Sequence, residues 1–215
     1  MPVLIYIVVA VAAYLLGSIP FGFLVAKAKG IDIRAVGSGN IGATNAMRVL
    51  GKPAGIAVLL LDVLKGYAAV SWLCVAILKM FNVTSADTET LRIIAGICVV
   101  LGHNYTCWLK FKGGKGIATT AGVYLALAPW ALLVALGVFI VALLVSRIVS
   151  VASMSGAVAL PVTVWIMTPQ NIFLGIVTTA LGALAIYKHK SNIQRLMAGT
   201  ENRFGKKSST AETTK

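Results

Sequence analysis

Two short glycine-rich stretches carry the residue types that could hold a phosphate or a carboxylate: GSGNIGATN (37–45) and KGGKG (112–116). Glycine-rich segments expose backbone N–H groups, which can form anion-binding concavities. The side chains around them are hydroxyls, amides and cations: Ser38, Asn40, Thr44, Asn45 and Arg48 for the first stretch, Lys112 and Lys115 for the second. Each stretch alone could be an ordinary turn. If both stretches lie at the same end of the folded protein, as the distribution of charge discussed below predicts, together they favour a site for an anionic ligand.

Neither stretch fits a nucleotide-binding motif. GSGNIG matches G-x-G-x-x-G, and Asp62 lies 20 residues after Gly42, but the motif lies between apolar segments rather than in a βαβ unit. In KGGKG the residue after Lys115 is Gly116, whereas a P-loop has Ser or Thr after its lysine. The stretch also lacks the G-x-x-x-x-G spacing of a P-loop. These departures argue against a dinucleotide-binding protein, an ATPase and a GTPase.

The two histidines, His103 and His189, are the side chains that could exchange a proton near neutral pH. Neither is followed within five residues by Asp or Glu, which excludes an H-x-x-x-x-D dyad. Both lie near the ends of predicted helices, where a lone histidine is more often structural than catalytic. Two histidines and six scattered acidic residues do not have metal-ligand spacing, so we expect no metal or cofactor.

The elements that would position these residues are membrane helices. The mean hydropathy is +0.91, and 59% of the 215 residues are hydrophobic. The apolar segments are close to the length of about 20 residues that a helix needs to cross a bilayer; they fall at 3–25, 54–80, 91–109, 117–128, 130–146, 151–167 and 171–187. The chain is therefore predicted to be an all-α integral membrane protein. Asp62 and Lys65 interrupt the second segment with i, i+3 spacing, which favours an ion pair between them.

The net charge of +13 indicates orientation in a membrane rather than nucleic-acid binding. Basic residues concentrate in 27–52, in 110–116, at Arg147 and after residue 187, and the positive-inside rule places all four in the cytoplasm. Only a break near Pro129, giving two short helices, keeps both Arg147 and the tail inside. We therefore predict a seven-helix bundle with the N-terminus outside and the C-terminus cytoplasmic. Residues 1–204 are predicted to form one domain, followed by a disordered tail at 205–215.

Three groups of residues, in order along the chain, resemble the bacterial membrane glycerol-3-phosphate acyltransferases that use acyl phosphate, the PlsY family. GSIPFG (17–22) precedes the first group, which is GSGNIGATN with Arg48; LGH and FKGGKG form the second, and HKSNIQRL with GTE forms the third. The resemblance covers about residues 3–204. It implies a seven-helix membrane bundle with a cytoplasmic active site in the bacterial inner membrane. It also implies acylation of the 1-hydroxyl of glycerol 3-phosphate, giving lysophosphatidic acid and phosphate for phospholipid synthesis.

The resemblance also assigns roles to residues. Those implied to be catalytic are Ser38, Arg48, His189 and Asn192. Those implied to bind substrate are Gly37, Gly39, Asn40, Thr44, Asn45, Lys112, Gly113, Gly114, Lys115, Gly116, Ser150 and Glu201. The expected partners are acyl phosphate, glycerol 3-phosphate and membrane lipids, with no nucleic acid.

An acyl phosphate is an activated mixed anhydride, so direct attack by the glycerol hydroxyl is the expected chemistry, with cations holding the phosphates. Either His189 or a substrate phosphate could accept the proton. A covalent intermediate on Ser38 is disfavoured because the sequence places no base beside it. The alternative function is a membrane transporter or channel for a phosphorylated anion, which could also use polar loops at helix ends. A transporter would more often contain inverted repeats, and none is recognisable here.

Overall fold

The computed structural model describes residues 2–82 and 88–203, and within these ranges every regular element is a helix. The α-helices are α1 (Pro2–Ser18), α2 (Phe21–Lys27), α3 (Ala43–Leu50), α4 (Lys52–Ala68), α5 (Cys74–Met80), α6 (Thr88–Asn104), α7 (Ile117–Leu127), α8 (Pro129–Ser146), α9 (Val149–Met167), α10 (Ile172–Lys188) and α11 (Lys190–Met197). A π-helical turn (Ala69–Leu73) joins α4 to α5, and a 3₁₀ turn (Cys107–Leu109) follows α6. The tail predicted at 205–215 lies outside the described residues.

Each predicted apolar segment is helical over most of its length, with breaks at Ile19 and Pro20 in the first segment and at Tyr105 and Thr106 in the third. Five helical stretches are long and apolar enough to cross a membrane: Val3–Lys27, Lys52–Met80, Thr88–Leu109, Pro129–Ser146 and Val149–Met167. α10 and α11 together make a sixth if this pair, bent by 52°, counts as one span. α7 is apolar but has only 11 residues. The chain is thus a multi-helix membrane protein, while seven crossings and the side on which each terminus lies stay predictions.

The predicted break near Pro129 lies between α7 and α8. Ala128 leaves the helical region with φ −150° and ψ 69°, and Pro129 begins α8, a position where its missing N–H costs no hydrogen bond. At about 1.5 Å per residue, α7 rises about 16 Å and α8 about 27 Å. Only the first of the two helices is therefore short, because the apolar run after Pro129 continues to Ser146 without interruption.

Small residues bring the helices close together. A Cβ on Gly17 would lie 2.1 Å from the carbonyl oxygen of Val99, and one on Gly102 would lie 2.2 Å from that of Tyr14, so α1 and α6 touch through their backbones. Such close approach is the usual way in which membrane helices associate, because lipid provides no hydrophobic drive between them. The lipid-facing surface is apolar instead, as on α8, where Leu144 is 72% exposed.

Candidate functional site

Asn45, in the first turn of α3, organises the first glycine-rich loop. Its buried Oδ1 accepts the N–H of Ser38 at 2.8 Å. Its Nδ2 approaches the carbonyls of Ile33, Val36 and Asn40 at 3.2, 3.1 and 2.9 Å. The loop needs backbone in the left-handed region at Gly37 (φ 62°) and Gly39 (φ 69°), which glycine adopts at little cost. These contacts fix the loop, so Asn45 positions the loop backbone while Ser38 and Thr44 remain exposed.

The second loop is attached to the C-terminal end of α6. The N–H of Gly114 donates to the carbonyl of His103 at 3.0 Å, and that of Gly113 donates to the carbonyl of Asn104 at 3.2 Å. No side chain fits at either glycine: a Cβ would lie 2.1 Å from the carbonyl oxygen of His103 at Gly113, and 2.1 Å from Nε2 of its ring at Gly114. The loop ends at Gly116 (φ 84°), from which α7 begins.

A chain of hydrogen bonds joins the second loop to the third group of predicted residues. The ammonium group of Lys115 donates to Oδ1 of Asn192, whose Nδ2 donates to Oε1 of Glu201 at 2.6 Å. The same carboxylate accepts from Oγ of Ser150 at 2.9 Å and from Nε of Arg195 at 2.6 Å. Glu201 therefore links α9 to α11, and Asn192 extends this link to the second loop at Lys115.

The charges around the hydrogen-bonded residues Lys115, Asn192 and Glu201 favour a bound anion. Burial, together with the nearby cations Arg195, Arg48 and Lys188, lowers the pKa of Lys115 to about 8, against the opposing effect of Glu201. An anionic ligand would relieve this accumulation of positive charge. Burial acts to raise the pKa of Glu201, but its hydrogen bonds from Asn192, Arg195 and Ser150 prevail and hold that pKa below the ordinary value. Glu201 is thus a carboxylate that holds the surrounding donors.

His189 lies buried at the junction of α10 and α11. Its Nδ1 is 2.8 Å from the carbonyl oxygen of Ala185, and a carbonyl can only accept a hydrogen bond. The proton of the neutral ring is therefore on Nδ1, and Nε2 carries the lone pair. This is the tautomer that a proton acceptor at Nε2 requires.

All three groups border a cleft of about 330 Å³ at one end of the bundle. The residues that line it are Ser38, Gly39, Asn40, Tyr105, Gly113, Lys115, Tyr187, Lys188, Lys190, Ser191 and Arg195. Arg48 and Lys112 are exposed beside the loops and are not among these residues. His189, Asn192, Ser150 and Glu201 form the layer behind the cleft rather than its surface. The structure thus brings the predicted residues into one region but gives them unequal access to a ligand.

Several residues of the cleft were missed by the sequence analysis. Lys188 donates to the carbonyl of Asn104 at 3.0 Å and lies 4.5 Å from the ring centre of Tyr105. Lys190 lies 5.3 Å from the ring centre of Tyr187, and Arg195 binds Glu201. The available signal was the density of cations in YKHKSNIQR, a stretch from which only His189 and Asn192 were predicted to belong to the site.

An apolar groove lies between α7, α8, α9 and α10. It has a volume of about 90 Å³ and is lined largely by aliphatic side chains, among them Leu132, Leu136, Leu160 and Leu181. Ala185 also lines it, and the carbonyl of Ala185 is the partner of His189. The groove therefore approaches the polar site at His189.

The fold and the site define a polytopic helical membrane protein with a cationic cleft at one end and an apolar groove leading towards it. The family model for glycerol-3-phosphate acyltransferase matches residues 7–199. A glycerol-3-phosphate acyltransferase of Geobacter metallireducens is 50% identical over 201 residues, which cover 94% of this chain and 98% of that protein. One of Desulforamulus reducens is 46% identical over 202 residues, covering 94% and 96%.

A solved structure has the same fold. It is the glycerol 3-phosphate form of PlsY, an integral membrane glycerol 3-phosphate acyltransferase, with a TM-score of 0.82 and 41% identity, covering 93% of this chain and 96% of that chain. The lysophosphatidic acid form gives a TM-score of 0.79 at 40% identity, with coverages of 93% and 95%. The chain belongs to the glycerol-3-phosphate acyltransferase family. It is an acyltransferase that acts on glycerol 3-phosphate in phospholipid synthesis.

Proposed function

We propose that the donor is acyl phosphate and that the acyl group goes to the 1-hydroxyl of glycerol 3-phosphate. The observation that carries this proposal is the cationic cleft, in which Lys115, Lys188, Lys190 and Arg195 converge. This reaction has one phosphate on each substrate, so an excess of cations over anions suits it. An acyl chain suits the apolar groove, which approaches the cleft at Ala185.

The proposed site faces the cytoplasm of a bacterial inner membrane, within a single domain at 1–204. The support is the positive-inside rule, since the cations around the cleft belong to the segments that are richest in Lys and Arg. A phosphorylated, water-soluble substrate would reach an open cleft from that side. The acyl chain would enter from the bilayer. The similar proteins are glycerol-3-phosphate acyltransferases, which argues against the alternative function of an anion transporter.

In this reaction the 1-hydroxyl oxygen attacks the carbonyl carbon of the acyl phosphate. A new C–O ester bond forms, the C–O bond to phosphate breaks, and phosphate leaves with the electron pair. Lys115 and Arg48 hold phosphate oxygens, Lys112 adds positive charge at the loop edge, and exposed backbone and Ser38 complete the cradle. Gly39, Asn40 and Gly113 line the cleft and Thr44 is exposed, whereas Gly37, Gly114 and Gly116 shape the two loops. The N–H groups of Gly39, Gly113 and Gly114 already donate to carbonyls of the protein.

The hydroxyl proton passes through one water molecule to Nε2 of His189, because this ring nitrogen has the lone pair but the ring lies behind the surface of the cleft. Asn192 holds the Lys115 ammonium group in place and is itself held by Glu201. Ser150, on α9, holds Glu201 through a hydrogen bond to its carboxylate. The alternative acceptor is a substrate phosphate, and replacement of His189 distinguishes the two. No covalent enzyme intermediate is needed, since the anhydride is already activated.

The test uses the purified protein in lipid vesicles with acyl phosphate and glycerol 3-phosphate. Phosphate release and formation of the 1-acyl product are measured together and should be equal. Lys115→Met should lose most of this activity, whereas Lys29→Met, which removes an exposed lysine away from the cleft, should retain it. Phosphate release without acyl product, or acylation only from a thioester donor, would refute the proposal.

A further inference from the structure

Asp62, Lys65 and His103 form a buried polar cluster that the proposed reaction does not use. Nζ of Lys65 lies 2.8 Å from Oδ1 of Asp62, and Nδ1 of His103 lies 3.5 Å from the same oxygen. The three side chains are between 1% and 6% exposed. None of the three lines the cleft.

A cluster of this kind is costly within membrane helices, where ionisable groups usually serve a function. A buried ion pair is weak evidence of stabilisation, because well-packed apolar residues often serve as well. Asp62 and Lys65 lie on α4, and close packing already holds this helix in the bundle, since a Cβ on Gly66 would lie 2.2 Å from the carbonyl oxygen of Thr119 on α7. The relevant question is therefore which other part of the molecule the cluster touches.

On one side the cluster holds the break between α1 and α2. Nζ of Lys65 donates to the carbonyl of Ile19 at 2.9 Å. Ser18, beside this break, donates its hydroxyl to the carbonyl of Gly102 at 3.4 Å, and its own carbonyl accepts from Thr106 Oγ1 at 2.6 Å. The break is thereby fixed to the C-terminal end of α6, where His103 lies.

On the other side the cluster supports the second glycine-rich loop. The last carbonyls of a helix have no partner within it, and in α6 the carbonyls of His103 and Asn104 accept the N–H groups of Gly114 and Gly113. The His103 ring is also packed on Gly114, since the three heavy atoms nearest to a Cβ there would be its Nε2, Cε1 and Cδ2, at 2.1, 2.8 and 3.0 Å. The next residue is Lys115, which lines the cleft.

We propose that Asp62 and Lys65 orient the His103 ring, and that this ring sets the position of loop 112–116 and hence the affinity for glycerol 3-phosphate. The three residues are positioning residues that touch no substrate. The inference rests on the proposed function, in which this loop holds the phosphate of that substrate. It predicts an effect on substrate binding that is separate from the rate of acyl transfer.

The first test measures steady-state kinetics of Asp62→Asn and His103→Ala in lipid. Asp62→Asn keeps the size of the side chain but removes the charge. We expect the KM for glycerol 3-phosphate to rise on the order of tenfold, because small displacements of a positioning group have large effects. The kcat at saturating glycerol 3-phosphate and the KM for acyl phosphate should change by less than about twofold.

The matched control is Arg92→Lys, which alters a cation on the same helix α6. Arg92 donates to the carbonyls of Val70 and Ala126, at 3.3 and 2.8 Å, away from the loop. It should lower the melting temperature without raising the KM. If the cluster only stabilises the fold, Asp62→Asn should behave like this control. Fewer molecules would be active, so the apparent kcat would fall while the KM for glycerol 3-phosphate stayed unchanged. That result would overturn the proposal.

A second test is a double-mutant cycle between His103 and Gly114. Gly114→Ala places a methyl group against the imidazole, so it should raise the KM, and removal of the ring in His103→Ala should relieve the clash. The double variant should therefore have a smaller defect than the product of the two single defects. Gly113→Ala is the control, because its Cβ would meet backbone atoms of His103 and Asn104, which His103→Ala leaves in place.

The outcomes separate this inference from the proposed function. If the wild-type protein fails to transfer an acyl group from acyl phosphate, the proposed function fails. If the wild type is active, an unchanged KM in Asp62→Asn, or strict multiplicativity of His103→Ala with Gly114→Ala, refutes the positioning role. The KM of Asp62→Asn can be measured even if His103→Ala folds poorly.

Discussion

The side chain of Asn192 connects Lys115 to Glu201, accepting a hydrogen bond from the first and donating one to the second. Lys115 lies between α6 and α7 and Glu201 follows α11, so this single amide joins two ends of the site. Oδ1 of Asn192 accepts a hydrogen bond from Lys115 and so holds this lysine in place among the neighbouring cations. Several expectations for the family reaction depend on this link.

The ionisation of Lys115 should appear in the pH dependence of the enzyme. Its pKa is about 8, so the ammonium form predominates below that pH and is lost as the pH rises through it. We therefore expect kcat/KM for glycerol 3-phosphate, which reports the free enzyme, to fall above about pH 8. Bound phosphate stabilises the ammonium group, so the corresponding fall in kcat should occur at a higher pH. The kcat/KM profile is measured with acyl phosphate well below its KM, so that it reports the enzyme without bound substrate, and the kcat profile is measured with both substrates saturating.

Lys115→Arg supplies the check on this assignment. Arginine remains charged throughout this range, so any activity that the variant retains should lack the fall near pH 8. If the variant is active and its profile still falls there, a different group titrates. Lys29→Arg, at an exposed lysine away from the cleft, should leave the profile unchanged.

Loss of the Glu201 carboxylate should damage the site more than loss of a surface carboxylate. Glu201 accepts hydrogen bonds from Asn192, Arg195 and Ser150, and its side chain is 8% exposed. Glu201→Ala leaves these donors without their acceptor, and removing a partner from a buried polar group costs about 1–3 kcal/mol. We expect a lower melting temperature and a higher KM for glycerol 3-phosphate, since Asn192 and Lys115 lose their support.

Asp32 provides the comparison for Glu201. It pairs with Arg34 at 2.8 Å, but both side chains are about half exposed. The pKa of Asp32 falls to about 2 through its hydrogen bonds from Arg34, yet water screens this pair. Asp32→Ala should therefore leave melting temperature and KM unchanged. Equal effects of the two substitutions would show that Glu201 does not organise the site.

Much of the fold could be predicted from local patterns, whereas the layout of the site could not. Uninterrupted apolar runs predict the helices, Pro129 predicts the break before α8, and the i, i+3 spacing of Asp62 and Lys65 predicts their ion pair, which is confirmed. His103 joins that pair from 41 residues beyond Asp62, and no local pattern encodes such a contact. The cleft residue Tyr105 was missed for the same reason, since it acquires its lysine partner only when α10 packs near α6.

The contact between Gly37 and Asn45 can be tested with a pair of glycines. Gly37 and Gly30 both have positive φ, 62° and 72°, so alanine is strained to a similar extent at either position. A Cβ at Gly37 would lie 2.2 Å from Oδ1 of Asn45, whereas nothing lies within 4 Å of one at Gly30. Gly37→Ala should therefore displace Asn45 and lower kcat/KM on the order of tenfold or more. Gly30→Ala should lower only the melting temperature. Equal kinetic effects would refute the organising role of Asn45.

The apolar groove predicts a dependence on acyl-chain length. Ala121 on α7 lines this groove, and Ala121→Leu would occupy part of it. Each buried methylene of a substrate contributes about 0.8 kcal/mol, so exclusion of two should lower kcat/KM for a long-chain acyl phosphate by roughly tenfold. A short-chain donor should be affected little. Ala76→Leu, on the exposed face of α5, is the control. Equal losses for both donors would indicate that the chain lies elsewhere.

The proton acceptor can be assigned by comparing the two histidines. His189 holds its Nδ1 proton against the carbonyl of Ala185, which leaves Nε2 as the base. His189→Gln can keep a donor to that carbonyl but cannot take up a proton, so kcat should fall on the order of a hundredfold, within the range for loss of a general base. His103→Gln should instead raise the KM for glycerol 3-phosphate, since His103 contacts loop 112–116 rather than substrate. Near-normal turnover by a folded His189→Gln variant would transfer the role of base to a substrate phosphate. Such a result would leave His189 a residue that fixes the junction of α10 and α11.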